Sequence, residues 1–468
     1  MPELPEVETV KNVLLPIVKN RKILSIDILR PSIVHQDKNE FKNSLQGETF
    51  LNITRIGKFL IFHLTNNKVM VSHLRMEGKY FEFEENDENS KYARVVFHLD
   101  NNKKLCYDDS RTFGMMYVTS EEEYLQTKDL AKLGPEPFAI HDVSSLMKKV
   151  KNKKLPIKST LLDQSLLTGL GNIYVDETLY ASGVHPLTPA YLISKKEWEL
   201  IIQNACEILK QAIELGGSTI KSYHPGKDID GNFQTRIKIY GKQGETCPIC
   251  HSTYRFIKVG GRGTTFCPKC QIKKGAPIDI GLTGKIASGK STVMNFFKEK
   301  GIPTLSSDEV VHTLYEKEEV VSLISKTLKI TFTNNKMDFD LLRNHLLIHK
   351  EDKKKLEKVI HPLVKKKILE FLKGEAPIKI VEVPLLFESK MDNLFDTIIV
   401  IDIDEKRQFE LLSQRNNKLA PLLLEINKTN KIDSNKGKAT YIINNNGDKK
   451  ALIKECSNIF NKLQARLD

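Results

Sequence analysis

Long apolar runs are missing from this chain of 468 residues, and none approaches the roughly 18 residues that a membrane-crossing helix needs. The opening stretch, MPELPEVETV, lacks the basic-then-apolar build of a secretory leader. Together these absences lead to the expectation of a cytoplasmic protein with no membrane partner. Internal repeats and long low-complexity segments are also absent. Cysteine is scarce, with seven in the chain. Cys106, Cys206 and Cys456 are scattered and read as buried thiols. The other four form one cluster, for which a reducing compartment favours a metal over disulfides. What the chain has in excess is positive charge, +13 net, and this invites a polyanionic partner. The excess is shared almost evenly by residues 1–275 and 276–468, so charge does not locate that partner.

Length suggests about three domains. Up to residue 131, short alternating segments such as ILSIDILR, KFLIFHL, KVMVSHL and ARVVFHLD predict a β-sandwich or barrel, preceded by a helix over roughly 6–19. The acidic FEFEENDENS reads as a solvated hairpin tip. KLGPEPF is a Gly/Pro break, after which the period turns helical, as in SKKEWELIIQNACEILKQAIEL. Residues 216–235 read as a loop, completing a segment 132–235. A small cysteine module fills 236–275. From 276 to 468, strands alternate with helices, the pattern of a parallel α/β sheet.

The module contains Cys247-x2-Cys250 and Cys267-x2-Cys270, sixteen residues apart. Two such knuckles complete a tetrahedron around Zn2+ and leave no open position for a water, so the site is structural. Between them, GGRGT carries Arg262, able to meet a phosphate from a tight turn. The first residues admit two readings. Prolines and Glu3, Glu6 and Glu8 suit the start of a helix. Alternatively, removal of Met1 exposes the Pro2 amine, whose neutral fraction near pH 7 can attack an electrophilic carbon.

These segments, with RIGKFLIF, SHLRMEG, SRTFG, LGPEP, LLDQSLLTGLGNIYVDETLY and GGRGTTFCPKCQ in order, resemble formamidopyrimidine-DNA glycosylase over residues 1 to about 272. The resemblance implies a β-sandwich, a helix-two-turns-helix domain and a zinc hairpin. It also implies excision of oxidised purines from damaged double-stranded DNA. Pro2 would be the nucleophile, Glu3 the proton carrier and Lys58 a phosphate-contacting catalytic lysine. Met76, Arg111 and Phe113 would fill the void left by the flipped nucleotide, with His73, Asn172 and Arg262 also on the DNA. Glu77 and the 216–235 loop would cap the flipped base, and Glu177 would partner the terminal amine.

Further along, Gly284-Lys285-Ile286-Ala287-Ser288-Gly289-Lys290-Ser291-Thr292 follows a short apolar strand and precedes a helix, the setting of a phosphate-cradling loop for ATP and Mg2+. With SSDEV, LEKVIHPLV, VEVPLLFE and YIINNNG, the segment 277–465 resembles dephospho-CoA kinase. That likeness implies Asp308 as general base or acceptor-orienting carboxylate, His361 and Glu388 at the acceptor site, and Arg415 in the lid. Ser306, His312 and Glu382 depart from the family's Asp, Arg and Asp. The overall expectation is a monomeric fusion of two enzymes. The alternative is an active glycosylase joined to a degenerate kinase that binds nucleotide or acts as a DNA-stimulated ATPase.

Overall fold

In the computed structural model, which describes residues 2–218, 232–416 and 431–467, Pro5 and Glu6 stand in the first turn of α1 (Leu4–Val18). Proline is tolerated there because the first amides of a helix have no internal acceptor. The chain divides into two compact units. Residues up to 182, Pro189–Tyr240 and Val259–Thr264 form the first; Gly183–Thr188, Gly241–Lys258 and the chain from Thr265 form the second.

In the first unit, two four-stranded antiparallel sheets share one core. One has the order β1 (Ile23–Ile28), β6 (Ala93–Leu99), β7 (Lys103–Asp108), β5 (Lys79–Glu84). The other has β2 (Phe50–Ile56), β3 (Phe59–Leu64), β4 (Lys68–His73), β8 (Met115–Ser120). Period-two alternation sends Tyr80, Val95, Phe97 and Tyr107 from one sheet against Phe50, Phe62 and Met70 from the other, and α1 adds Val7, Val10 and Leu14. This is the expected sandwich. The acidic stretch differs from expectation. β5 and β6 both pair with β7 and not with each other, so residues 85–92 form a crossover and not a hairpin tip. Lys104 on β7 fastens it through the Asp87 carbonyl.

After α2 (Lys38–Leu45), the unit's further α-helices among the described residues are α3 (Ser144–Val150), α4 (Ile157–Leu161), α5 (Asn172–Ala181) and α6 (Lys195–Glu214). α6 begins where Ser194 accepts the Glu197 amide and Glu197 returns the favour, a reciprocal cap.

In the second unit, five parallel strands run in the order β12 (Thr304–Ser306), β13 (Ile378–Glu382), β11 (Ile278–Gly284), β14 (Thr397–Asp402), β15 (Tyr441–Asn444). Two hydrophobic clusters cover its faces. α7 (Lys290–Glu299) and α14 (Lys449–Gln464) contribute to one. α8 (Ser307–Tyr315), α9 (Glu318–Leu328), α10 (Phe339–Ile348) and α11 (Asp352–Leu372) contribute to the other. α12 (Glu405–Asn416) and the short α13 (Ile432–Asn435) flank the undescribed 417–430. β9 (Arg255–Val259) and β10 (Arg262–Phe266) form the two-stranded sheet of the cysteine module.

Candidate active sites

The first site is built around Glu3, which is 3% exposed. Its carboxylate accepts the amides of Gly171 (2.6 Å), Ile173 (2.9 Å) and Tyr174 (3.4 Å) at the N-terminus of α5. The two glycines of LTGLGN play different parts in this turn. Gly171 gives its amide to the chain's own carboxylate and clears space for it, while Gly169 gives its amide to the Gln164 side chain and clears space for Leu4. A Cβ on Gly171 would come within 2.3 Å of the Glu3 carboxyl carbon, and one on Gly169 within 2.5 Å of Leu4. Leu4 also donates its amide to the Gly169 carbonyl.

Pro2 lies buried directly before this carboxylate. Glu6 holds the same turn, accepting the Glu3 amide at 2.8 Å, the Tyr174 hydroxyl at 2.6 Å and both the amide and hydroxyl of Ser218. Lys58 is buried too, and donates to the Leu170 carbonyl at 2.7 Å. Burial pushes the Glu3 carboxyl up to about 7, against the pull of Lys58; Glu6 adds to the rise, and the amides oppose it. Burial in turn lowers the Lys58 ammonium, with Glu3 and Glu6 opposing. A carboxyl that titrates near neutrality beside a buried lysine can give and take protons at physiological pH.

Lys58 owes its place to an ion network. Arg55 grips Glu136 with two nitrogens and Glu8 with a third, and Glu136 accepts the Gly57 amide. LGPEP thereby fixes the turn RIGKF from 79 residues away. By local spacing Glu6 read only as an acid at a helix start, and Glu136 did not stand out. Glu177 is held on backbone amides. Its two oxygens accept the amides of Lys238, Ile239 and Tyr240, while Glu6 accepts the Glu3 amide next to Pro2.

Met76 and Phe113 are 43% and 58% exposed, large apolar side chains standing in water on two loops. Arg111 approaches the Met76 sulfur at 3.4 Å. Arg75 and Thr112 on the same loops have φ of +51° and +56°, a conformation that costs a β-branched residue energy and recurs at functional sites. Asp109 holds the second loop by accepting the amides of Arg111 and Gly114. His73 is buried, and its Nδ1 accepts the Arg75 amide. Burial, reinforced by Arg75 and Lys58, depresses it to about 3, so the ring is neutral with its proton on Nε2, a single donor. Asn172 is partly spent: its Nδ2 donates to the Gly263 carbonyl, which also receives the buried Lys158 paired with Asp176 at 2.6 Å. This clamp holds exposed Arg262 at the hairpin turn, where Gly260 and Gly261 take φ of +54° and +76°. Glu77 is half-buried and lines a cavity on the sheet's outer face. The expected capping loop falls mostly on 219–231, outside the described residues.

The Sγ atoms of Cys247, Cys250, Cys267 and Cys270 lie within 4.8 Å of one another. Two of the separations are 3.8 and 3.3 Å, close to the ~3.8 Å edge of a tetrahedron with ~2.3 Å zinc–sulfur bonds. The donor set fits a structural Zn2+, which would tie the two knuckles together when bound.

In the second unit, the candidate residues sit at the carboxyl ends of adjacent parallel strands, where α/β sheets bind ligands. β11 ends at Gly284, and residues 285–289 turn into α7, with Gly289 at φ +99°. Lys290 Nζ caps the Gly284 and Lys285 carbonyls. Asn445, at the end of β15, donates to the Ser288 carbonyl. Ser306 and Glu382 face each other across β12 and β13, and the serine hydroxyl bonds the carboxylate. Burial raises Glu382, Lys290 opposing and Asp308 adding. A cavity of about 470 Å3 gathers Ser291, Ser306, Asp308, Glu309 and Glu382. A second, of about 110 Å3, joins Asp308 to His361, Val383 and Leu385. A third, of about 250 Å3, is lined by Ala287, Gly289, Thr292, Arg407 and Asn445; the last two were not singled out by sequence. Glu388 lies apart from these cavities, and its Oε1 accepts the Lys431 amide. Arg415 is on α12, but its side chain lies outside the described residues, as does the lid segment 417–430.

Family models match four consecutive stretches. They are the N-terminal domain of formamidopyrimidine-DNA glycosylase at 1–116, its H2TH domain at 133–224, the zinc finger found in FPG and IleRS at 244–272, and dephospho-CoA kinase at 278–451. The formamidopyrimidine-DNA glycosylase of Mycoplasma mobile is 43% identical over 272 residues, covering 58% of this chain and 99% of its own length. That of Bacillus subtilis is 43% identical over 277 residues, covering 58% and 100%. The Lactococcus lactis Fpg in complex with abasic-site DNA is 38% identical, with a TM-score of 0.55, over 58% of this chain and all of its own.

Proposed function

Because residues 1–272 make this chain a member of the formamidopyrimidine-DNA glycosylase family, with a dephospho-CoA kinase domain at 278–451, we propose which residues run each reaction. The protein is bifunctional: a DNA glycosylase and AP lyase for oxidised purines, and an ATP-dependent dephospho-CoA kinase. We divide it functionally at 1–131, 132–235, 236–275 and 276–468, and take it to be cytoplasmic and monomeric. Among the described residues, no helix is long and apolar enough to cross a membrane.

In the glycosylase, the Pro2 nitrogen attacks C1′ of a nucleotide turned out of the duplex. The C1′–base bond breaks and the base leaves with its electron pair; the proline nitrogen then loses its proton, its lone pair expels O4′ from C1′, and the resulting iminium links enzyme and sugar. Glu3 delivers a proton to the opening sugar, and β then δ elimination cut the strand on both sides. Lys58 contacts the flanking phosphate, while Met76, Phe113 and Arg111 occupy the vacated space. Glu6 shapes the turn that carries Pro2. The observation that carries this reading is the Glu3 carboxylate, buried on three amides and titrating near 7 directly after Pro2.

In the kinase, residues 284–292 cradle the ATP phosphates, Lys290 moving from its carbonyl caps to the phosphates. Mg2+, when bound, neutralises phosphate charge; Ser291, with Asp308 and Glu382 in the same cavity, fits that role. Asp308 orients the acceptor hydroxyl from the cavity it shares with His361. Arg407 and Asn445 border the nucleotide-side cavity. The test is product analysis of ATP with dephospho-CoA, alongside nicking of a duplex containing an oxidised guanine. A 3′-phosphorylated product and a δ-eliminated gap are expected. ATP hydrolysis driven by DNA and indifferent to dephospho-CoA would overturn the kinase assignment.

A further inference from the structure

Two loops cross from one sheet of the sandwich to the other, 74–78 between β4 and β5 and 109–114 between β7 and β8. Lys79 pairs with Asp108, and His73 with Met115, so the loops leave the sandwich side by side. They carry the exposed Met76 and Phe113, and each ends in a buried glycine, Gly78 and Gly114. Neither glycine takes a left-handed φ, so backbone conformation does not call for them. Space does. A Cβ on Gly78 would come within 2.2 Å of the Tyr107 hydroxyl oxygen, and one on Gly114 within 1.7 Å of the same atom.

Tyr107 is fully buried on β7, opposite Tyr80 on β5, with ring centroids 5.0 Å apart. Tyr80 donates its hydroxyl to Ser72, but that of Tyr107 has no hydrogen-bond partner among the described residues. Burial, with Tyr80 and Asp109 adding, raises Tyr107 well above its ordinary value, so the hydroxyl keeps its proton. A buried hydroxyl without a partner lowers stability, and phenylalanine would fill the same core without that cost. The hydroxyl is therefore explained by the loops and not by the core. Each loop is closed on itself, Gly78 donating its amide to the Leu74 carbonyl at 2.9 Å and Gly114 to Asp109 at 2.7 Å. The Tyr107 oxygen fills the space in front of both glycines, one spacer under two loops.

We propose that Tyr107 is a positioning residue for base extrusion: its hydroxyl sets the height of the two loops and the gap between Met76 and Phe113. This rests on the reading above that those side chains fill the space vacated by the flipped nucleotide. Without the hydroxyl the loops settle toward the ring, and a misplacement of about 1 Å is enough to cost about a hundredfold in a positioned reaction.

Tyr107→Phe in the full chain tests it. Extrusion is read from a fluorescent adenine analogue placed beside an oxidised guanine, which brightens as neighbouring bases unstack. The melting temperature should stay or rise, while extrusion and single-turnover excision slow by at least about tenfold. Borohydride trapping on a single-stranded abasic oligonucleotide, which needs no extrusion, should be unchanged. Gly114→Ala, which presses on the same oxygen, should slow extrusion too, and adding Tyr107→Phe should return part of the loss. Unchanged extrusion in Tyr107→Phe, lost single-strand trapping, or a melting temperature that falls together with excision overturns the proposal. Met76→Ala separates the two claims. If it slows extrusion and Tyr107→Phe does not, only the positioning role fails. If Met76→Ala leaves extrusion intact, the void-filling reading fails and the positioning role with it.

Discussion

Glu3 is where single-residue chemistry is decided. Its carboxyl, pushed up to about 7 by burial, is protonated below that pH and loses its proton above it. The neutral fraction of an α-amine, with an ordinary value near ~7.7–8.0, changes in the opposite direction. Single-turnover base excision should therefore follow a bell, with a falling limb that begins near pH 7. Glu3→Gln should lower the rate by roughly 10²–10⁴-fold and abolish that limb. A second residue-scale prediction concerns Lys158 and Asp176, both buried and paired at 2.6 Å. Lys158→Met leaves Asp176 as an uncompensated buried charge and should cost about 3–5 kcal/mol in a denaturant melt. Adding Asp176→Leu should restore most of the loss, because no stranded charge remains.

At the scale of elements, the turn before α5 shows how space and charge are set together. Gly171 has an ordinary extended φ of −132°, so its side-chain-free state serves clearance and not backbone freedom. Gly171→Ala would press on the Glu3 carboxyl carbon and shift it off the α5 amides. Excision should fall at least about a hundredfold while the melting temperature moves little, measured by parallel kinetics and calorimetry. Such an element was legible in the sequence only in outline. The motifs marked which turns matter, and the alternating segments gave the sandwich. They did not say that LTGLGN wraps the chain's own Glu3, nor that Lys58 is buried. The partners lie 168 and 112 residues apart, and single-chain periodicity carries no signal at that range. The 85–92 crossover escaped for a related reason: β5 and β6 look like hairpin arms until β7 is seen between them.

At the scale of the whole chain, the zinc module's base and the kinase sheet belong to one compact unit. Arg255, fully buried, donates to the carbonyls of Asp392, Phe395 and Asp396, and burial lowers it to about 10. Lys273 pairs with Asp396 at 2.8 Å, and Arg466 bonds the Lys273 carbonyl. These are interior contacts, and their loss strands charges away from water. Chelating the metal from the four cysteines should therefore lower the melting transition of the kinase segment as well as DNA affinity. Arg255→Leu should do the same with zinc still bound. The sequence marked the cysteine cluster and the phosphate loop as separate motifs; the charges that join them lie in stretches without a motif.

The account stands on the Pro2 nitrogen as the atom that captures the sugar. Borohydride reduction during turnover on an oxidised-guanine duplex, followed by peptide mass analysis of the adduct, locates that atom. The DNA remnant should appear on the N-terminal peptide, at Pro2, with Met1 removed. A remnant on Lys58 or any other lysine, or full trapping by a form that keeps Met1, would contradict it.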